Sequence, residues 1–104
     1  MERKHIGNKH YLSHNRKIIN FPEYRTKGEE FLLVKDVTNC RIILDSTTTS
    51  YIVIKSMTNV TIKSIMNKID EDFDEIVMER GSCAEFLNID NYWYIISSDG
   101  LKLI

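Results

Sequence analysis

The chain has 104 residues and a net charge of −1, which is room for one small domain. Its 15 isoleucines against a single alanine, Ala84, belong to the vocabulary of strands and argue against a helical protein. Uninterrupted apolar runs are short, as in Phe31 to Val34, and the two cysteines, Cys40 and Cys83, lack CxxC spacing; this excludes a membrane-spanning helix and a disulfide framework, argues against export, and points to buried free thiols in a reducing compartment.

Residues 1–28 differ from the rest. They carry seven Lys or Arg against two acids, a balance of +5, whereas residues 29–104 carry seven bases against thirteen acids, a balance of −6. They also lack sustained periodicity and contain Gly7, Pro22 and Gly28. The division expected is an extended basic N-terminal arm over 1–28 and a β domain over 29–104. Within the arm, which carries Arg3, Lys4, Arg16 and Lys17, the apolar anchors Ile18, Ile19, Phe21 and Tyr24 interrupt the basic residues, a pattern suited to docking on a partner surface. His5, His10 and His14 are spaced H-x4-H-x3-H, but with no fourth ligand nearby they are read as a solvated or phosphate-contacting stretch and not as a zinc site.

Phe31 to Val34 and Arg41 to Asp45 follow as strands, then Tyr51 to Lys55 and Val60 to Ile65. These two pairs are one unit written twice: residues 31–42 overlay 51–62 with an offset of 20, every apolar position meeting an apolar one, and Lys, Thr, Asn and Ile recur at 35/55, 38/58, 39/59 and 42/62. So short a unit cannot bury its own apolar face, and repetition implies that copies stack, within one chain or across subunits.

Met66 to Asp74 reads as an acidic loop, with a short helix over 65–78 as the competing reading because Ile65, Met66, Ile69, Phe73, Ile76 and Val77 approximate helical spacing. Asp70, Asp72 and Asp74 alternate as in a calcium loop, yet Glu75 stands where a glycine is needed and Gly81 where a bidentate glutamate is needed, so an EF-hand is excluded in form. Glu75 to Met78 is a short strand, Arg80-Gly81-Ser82 a turn, and Ala84 to Ile89 with Tyr92 to Ser97 a hairpin about Asp90-Asn91, whose side chains tolerate positive φ. Ser98-Asp99-Gly100 turns the chain into a last strand, Leu101 to Ile104. Eight short runs with regular turns describe an all-β fold: a small antiparallel sandwich or prism of repeated hairpins, or a short solenoid.

Val60-Thr61-Ile62-Lys63, Ile69-Asp70 before the acidic loop, Gly81-Ser82-Cys83-Ala84-Glu85-Phe86 and Tyr92-Trp93-Tyr94-Ile95-Ile96-Ser97-Ser98 with Gly100 resemble the closing domain of viral and phage fibre, spike and minor capsid proteins. The pattern departs at Glu71, where such domains usually have glycine. The resemblance implies a short, all-β, structural and often homotrimeric protein, placed in the virion and assembled in the host cytoplasm.

In the aromatic run, alternation puts Tyr92, Tyr94 and Ile96 on one face and Trp93 and Ile95 on the other, both apolar. A strand covered on two sides lies at a sandwich centre or against a partner, so Tyr92, Trp93, Tyr94 and Ile96 are the candidate interface; for Trp93 itself a plain core position is the preferred reading, and an aromatic sugar-binding platform, which needs exposed rings beside polar groups, is a minor one. No catalytic residue is assigned: every His falls in the arm and the glycines are isolated, so neither an enzyme nor a cofactor is expected. The leading expectation is a virion structural protein that assembles with itself and docks on other capsid proteins. The alternative is a nucleic-acid-binding accessory protein using Arg3, Lys4, Lys9, Arg16 and Lys17 against phosphates, disfavoured by the acidic body.

Overall fold

The computed structural model describes residues 15–103. These residues form eight strands and no helix: β1 (Arg16–Ile19), β2 (Glu23–Arg25), β3 (Glu30–Val34), β4 (Asn39–Leu44), β5 (Tyr51–Ser56), β6 (Asn59–Ser64), β7 (Ile76–Ile89) and β8 (Tyr92–Leu103). All eight belong to one mixed sheet of order β1-β3-β5-β7-β6-β4-β2, with β8 added outside β7. The protein is all-β, as expected.

The pairing inside the repeat differs from the hairpins anticipated. Strands adjacent in the chain do not pair with each other; β3 pairs in parallel with β5, and β4 in parallel with β6. Residues 36–38 and 57–58 are corners that carry the chain from one face of a flattened coil to the other. The reason lies in side-chain direction. Leu32, Val34, Cys40, Ile42 and Leu44 all turn inward and are buried, which an antiparallel hairpin could not arrange without a second sheet above it, whereas two strands on opposite walls of a coil face each other directly.

Successive coils lie in register. Cys40 sits on Val60, Ile42 on Ile62 and Leu32 on Ile54, so the apolar positions of the repeat become continuous internal stacks. At the corner Asn39 is opposite Asn59, and the Thr58 hydroxyl donates to the Thr38 carbonyl at 2.8 Å. The identities between the two copies therefore mark corners as well as core.

A third copy precedes them. β1 pairs in parallel with β3 and β2 with β4, so residues 16–25 are the first coil and part of the β domain. The reading of 1–28 as an arm outside the body does not hold for this stretch: Ile19 and Tyr24 are buried in the core, and the part of the arm over 1–14 lies outside the described residues, as does Ile104 at the end of the expected last strand. This coil is shorter at its corner, with offsets of 15 (Arg16 to Phe31) and 18 (Glu23 to Arg41) where the later copies keep 20 on the β4–β6 wall, and three of its seven strand residues are Arg or Lys.

Its charges close the end of the coil. Lys17 is in register with Leu32, an inward position, and its ammonium reaches Glu30 at 2.7 Å and the Tyr24 hydroxyl at 3.1 Å. Tyr24 in turn donates to Glu30 at 2.7 Å. A salt-bridged lid thus stands where a further coil would have placed an apolar residue, and the short, charged margins β1 and β2 discourage edge-to-edge pairing.

The opposite end is closed by the β7–β8 ribbon. β7 runs antiparallel to both walls, pairing through Ile76–Met78 with β6 and through Cys83–Leu87 with β5. Between them it turns a corner at Gly81, φ +92°, opposite Gly100 of β8, φ +84°. The expected turns at 80–82 and 98–100 are therefore bends inside two long strands. Trp93, Phe86, Met78 and Ile76 fill the last layer of core.

The 65–75 stretch is a loop with no helix. Ile69 is buried and exchanges backbone bonds with Phe73, while Asp70 and Glu71 both take positive φ, 54° and 61°. Asp70 then clips the outer edge of β8: its N–H donates to the Trp93 carbonyl at 2.8 Å, and its carboxylate accepts from the Ile95 N–H at 2.9 Å.

Candidate functional site

The two outer walls of the coil have different chemistry. On the wall formed by β2, β4, β6 and the start of β7, the outward positions are Glu23, Arg41, Thr61 and Val77 in one row, Arg25, Ile43 and Lys63 in the next, and Asn39 with Asn59 at the corner. That wall is polar. Arg25 pairs with Asp45 at 2.7 Å and Arg41 with Glu75 at 3.6 Å.

On the wall formed by β1, β3, β5, the end of β7 and β8, register sets Ile18 beside Leu33, and Phe31 beside Val53. Tyr51 lies opposite Leu87, which faces Tyr94, and Ile89 faces Tyr92. Odd and even positions alternate here as in the inner face, but the outward set is also apolar. Ile18 is 56% exposed, Ile89 52% and Tyr92 41%. Outward apolar residues thus occur on all five strands, exposed at the β1 and β8 margins and half-buried or, at Val53, buried between them, a surface unusual for a protein that works alone.

The charges on this wall form a gradient. Arg16 lies at the β1 margin and Lys55 in the middle, while Glu85 and Asp99 stand on β7 and β8. Lys55 donates to the Gly81 carbonyl at 2.8 Å. The Glu85 carboxylate accepts from the Tyr51 hydroxyl and, at 2.6 Å, from Ser97. Burial and this carboxylate push the Tyr51 phenol far above its ordinary range, so it stays a neutral donor. Arg16 and Asp99, at opposite margins, make no ion pair among the described residues.

The candidate interface residues of the aromatic strand separate. Tyr92 and Tyr94 lie on the outer wall as alternation requires. Trp93 is wholly buried, so the structure removes it from any surface and assigns it to the core. Ile96 is 49% exposed but sits in a β-bulge, since Phe86 pairs with Ile95 and Glu85 with Ser97. Beyond the bulge the alternation no longer follows the simple period of two.

The docking-arm residues divide too. Arg3 and Lys4, with Lys9 and the three histidines, lie outside the described residues. Ile19 and Tyr24 are core, and Lys17 belongs to the lid, where its bonds to Glu30 and Tyr24 hold it protonated beyond the usual lysine range. Ile18, Phe21 and Arg16 are exposed. The outward apolar residues of β3, β5 and β7 escaped sequence reasoning, because Phe31, Leu33 and Tyr51 look identical to core residues until the walls of the coil are known.

Both thiols are free. Burial pushes Cys40 up to about 11 and also raises Cys83, so neither is a ready nucleophile. Among the described residues no three His, Cys, Asp or Glu are placed to hold a metal ion, the 70–75 loop included, and no helix is long and apolar enough to cross a membrane. No protein-family model matches the chain, and no curated protein matches it significantly.

Proposed function

We propose that the protein is a non-enzymatic structural building block that works by associating with copies of itself through the β1-β3-β5-β7-β8 wall. The observation that carries this reading is the outward apolar set on that wall, set against the polar opposite wall of the same coil. The occupant that fits is a second copy. The face is basic at its β1 margin, where Arg16 lies, and acidic at its β8 margin, where Asp99 lies, so it is complementary to itself when the β1 margin of one copy meets the β8 margin of the next.

Five strands at about 4.8 Å spacing and some six residues long give a footprint of roughly 24 by 20 Å before side-chain relief. That is below the roughly 800 Å² per partner of a standard stable interface, so association is concentration-dependent and gains from closure into a ring. The resemblance of residues 60–100 to closing domains of fibre, spike and minor capsid proteins supports a ring of three copies and a place in a virion, docked on other capsid proteins.

Nucleic acid ranks lower as a partner. Of the basic residues in the described part of the first coil, Lys17 and Arg25 are already paired with Glu30 and Asp45, which leaves Arg16 as the strand cation of that coil without a carboxylate partner among the described residues.

A charge-swap cycle tests the reading. Arg16→Glu and Asp99→Lys are each expected to weaken self-association about tenfold or more, and the double variant to recover most of it. Equal affinity in all four proteins contradicts it.

A further inference from the structure

At the tip of the β7–β8 ribbon the 65–72 loop and the hairpin turn enclose an open groove of about 550 Å³ lined by Asn67, Lys68, Glu71 and Tyr92. Its walls are tied together. Asn67 donates its side-chain N–H to the Asn91 carbonyl at 2.9 Å, the Tyr94 hydroxyl donates to Glu71 at 2.6 Å, and Asp70 clips β8 through two further bonds. Four of the five non-glycine residues with positive φ among the described residues, Asp70, Glu71, Asp90 and Asn91, stand in these two walls. Backbone cost of that kind gathers where a loop must hold one shape, and a loop and turn pinned by four bonds form a rigid groove.

The lining selects a ligand class. Tyr92 offers an exposed ring as an apolar platform. Around it, Asn67 keeps its amide oxygen as an acceptor after donating to Asn91, Glu71 keeps one carboxylate oxygen, and Lys68, paired with Asp74 at 3.1 Å, keeps N–H donors. A phosphate or sulfate would meet one ammonium already neutralised and a facing carboxylate. A lipid or apolar peptide would find a single ring in an otherwise polar groove. A ring with an apolar face and a rim of hydroxyls, each able to give and take a hydrogen bond, uses every group present.

We propose that this groove binds a neutral saccharide, stacked on Tyr92 and held at its rim by Asn67, Lys68 and Glu71. Tyr92 also stands at the β8 margin of the self-association wall, so assembly competes for its ring; neither Arg16 nor Asp99 lines the groove, and Arg16→Glu, which weakens assembly, leaves the groove intact.

The test is an array of neutral, sialylated and sulfated glycans probed with the full-length protein, followed by titration of the best-bound glycan. Binding to neutral glycans is expected, weakened about tenfold or more by Tyr92→Ala and several-fold by Asn67→Ala, but kept by Tyr92→Phe, which preserves ring and fold, and by Arg16→Glu. Binding to no glycan on the array overturns the proposal. So does binding confined to sialylated or sulfated glycans, or binding that Tyr92→Ala and Asn67→Ala leave unchanged.

Discussion

Glu71 shows how a single residue records a conformational demand. It occupies a left-handed position, φ +61°, in a tight turn closed by the bond from the Asp72 N–H to the Ile69 carbonyl, and a glycine would sit there without steric cost. Glu71→Gly is therefore expected to raise the unfolding free energy by about 0.5–1 kcal/mol, reduced by the loss of one exposed bond to Tyr94; urea unfolding measures it. Asp45 makes a second demand. It is buried, accepts from both the N–H and the hydroxyl of Thr47, and pairs with Arg25, and these bonds hold its carboxyl below the usual aspartate range. Its folded pKa lies below its unfolded one, so the stability it contributes is present above about pH 4 and is lost as pH falls through the folded value. Asp45→Asn should lower stability at neutral pH and flatten the decline below pH 4, as read from denaturant unfolding across that range.

At the scale of elements, the corner of the β7–β8 ribbon is the most constrained joint in the fold. Gly100 has φ +84°, and a Cβ there would come within 2.8 Å of the Ser82 Oγ, which itself donates to the Gly100 carbonyl at 2.7 Å. Gly81, φ +92°, has open space on its Cβ side. Gly100→Ala should cost about 2–3 kcal/mol and Gly81→Ala about 1 kcal/mol, the difference being the displaced serine; paired thermal melts would show it. Much of the element plan was legible from residues. The strands from Phe31 to Ile65 and the Asp90-Asn91 turn follow from β-branched alternation and turn chemistry, and the structure gives those two turn residues φ of 53° and 69°. The first coil was not legible, because its corner is shorter than the 20-residue period and Lys17 stands at an inward position. Nor was the parallel pairing, because a strand's apolar pattern shows which side is buried but not which neighbour it bonds. The outer wall was half legible. Tyr92, Tyr94 and a core place for Trp93 followed from alternation and residue type, whereas the bulge at Ile96 depends on contacts distant in sequence.

Across the whole molecule, three coils are held between a salt-bridged lid and an antiparallel ribbon, and neither end can be removed cheaply. Deleting residues 1–28 takes away β1 and β2 and bares Leu32, Val34 and Ile42 to water. Each such side chain is worth about 1.5–3 kcal/mol of burial, so the shortened chain is expected to lose cooperative unfolding, which circular dichroism would record. The same geometry that seals the core leaves the β1-β3-β5-β7-β8 wall apolar on its outside. Sedimentation equilibrium of the full-length protein over a rising concentration series measures whether that wall is used. A mass climbing from one copy towards three is expected, with Leu33→Asp held at one copy while still folded; a natural chain that stays at the mass of one copy at every concentration would contradict assembly through this face.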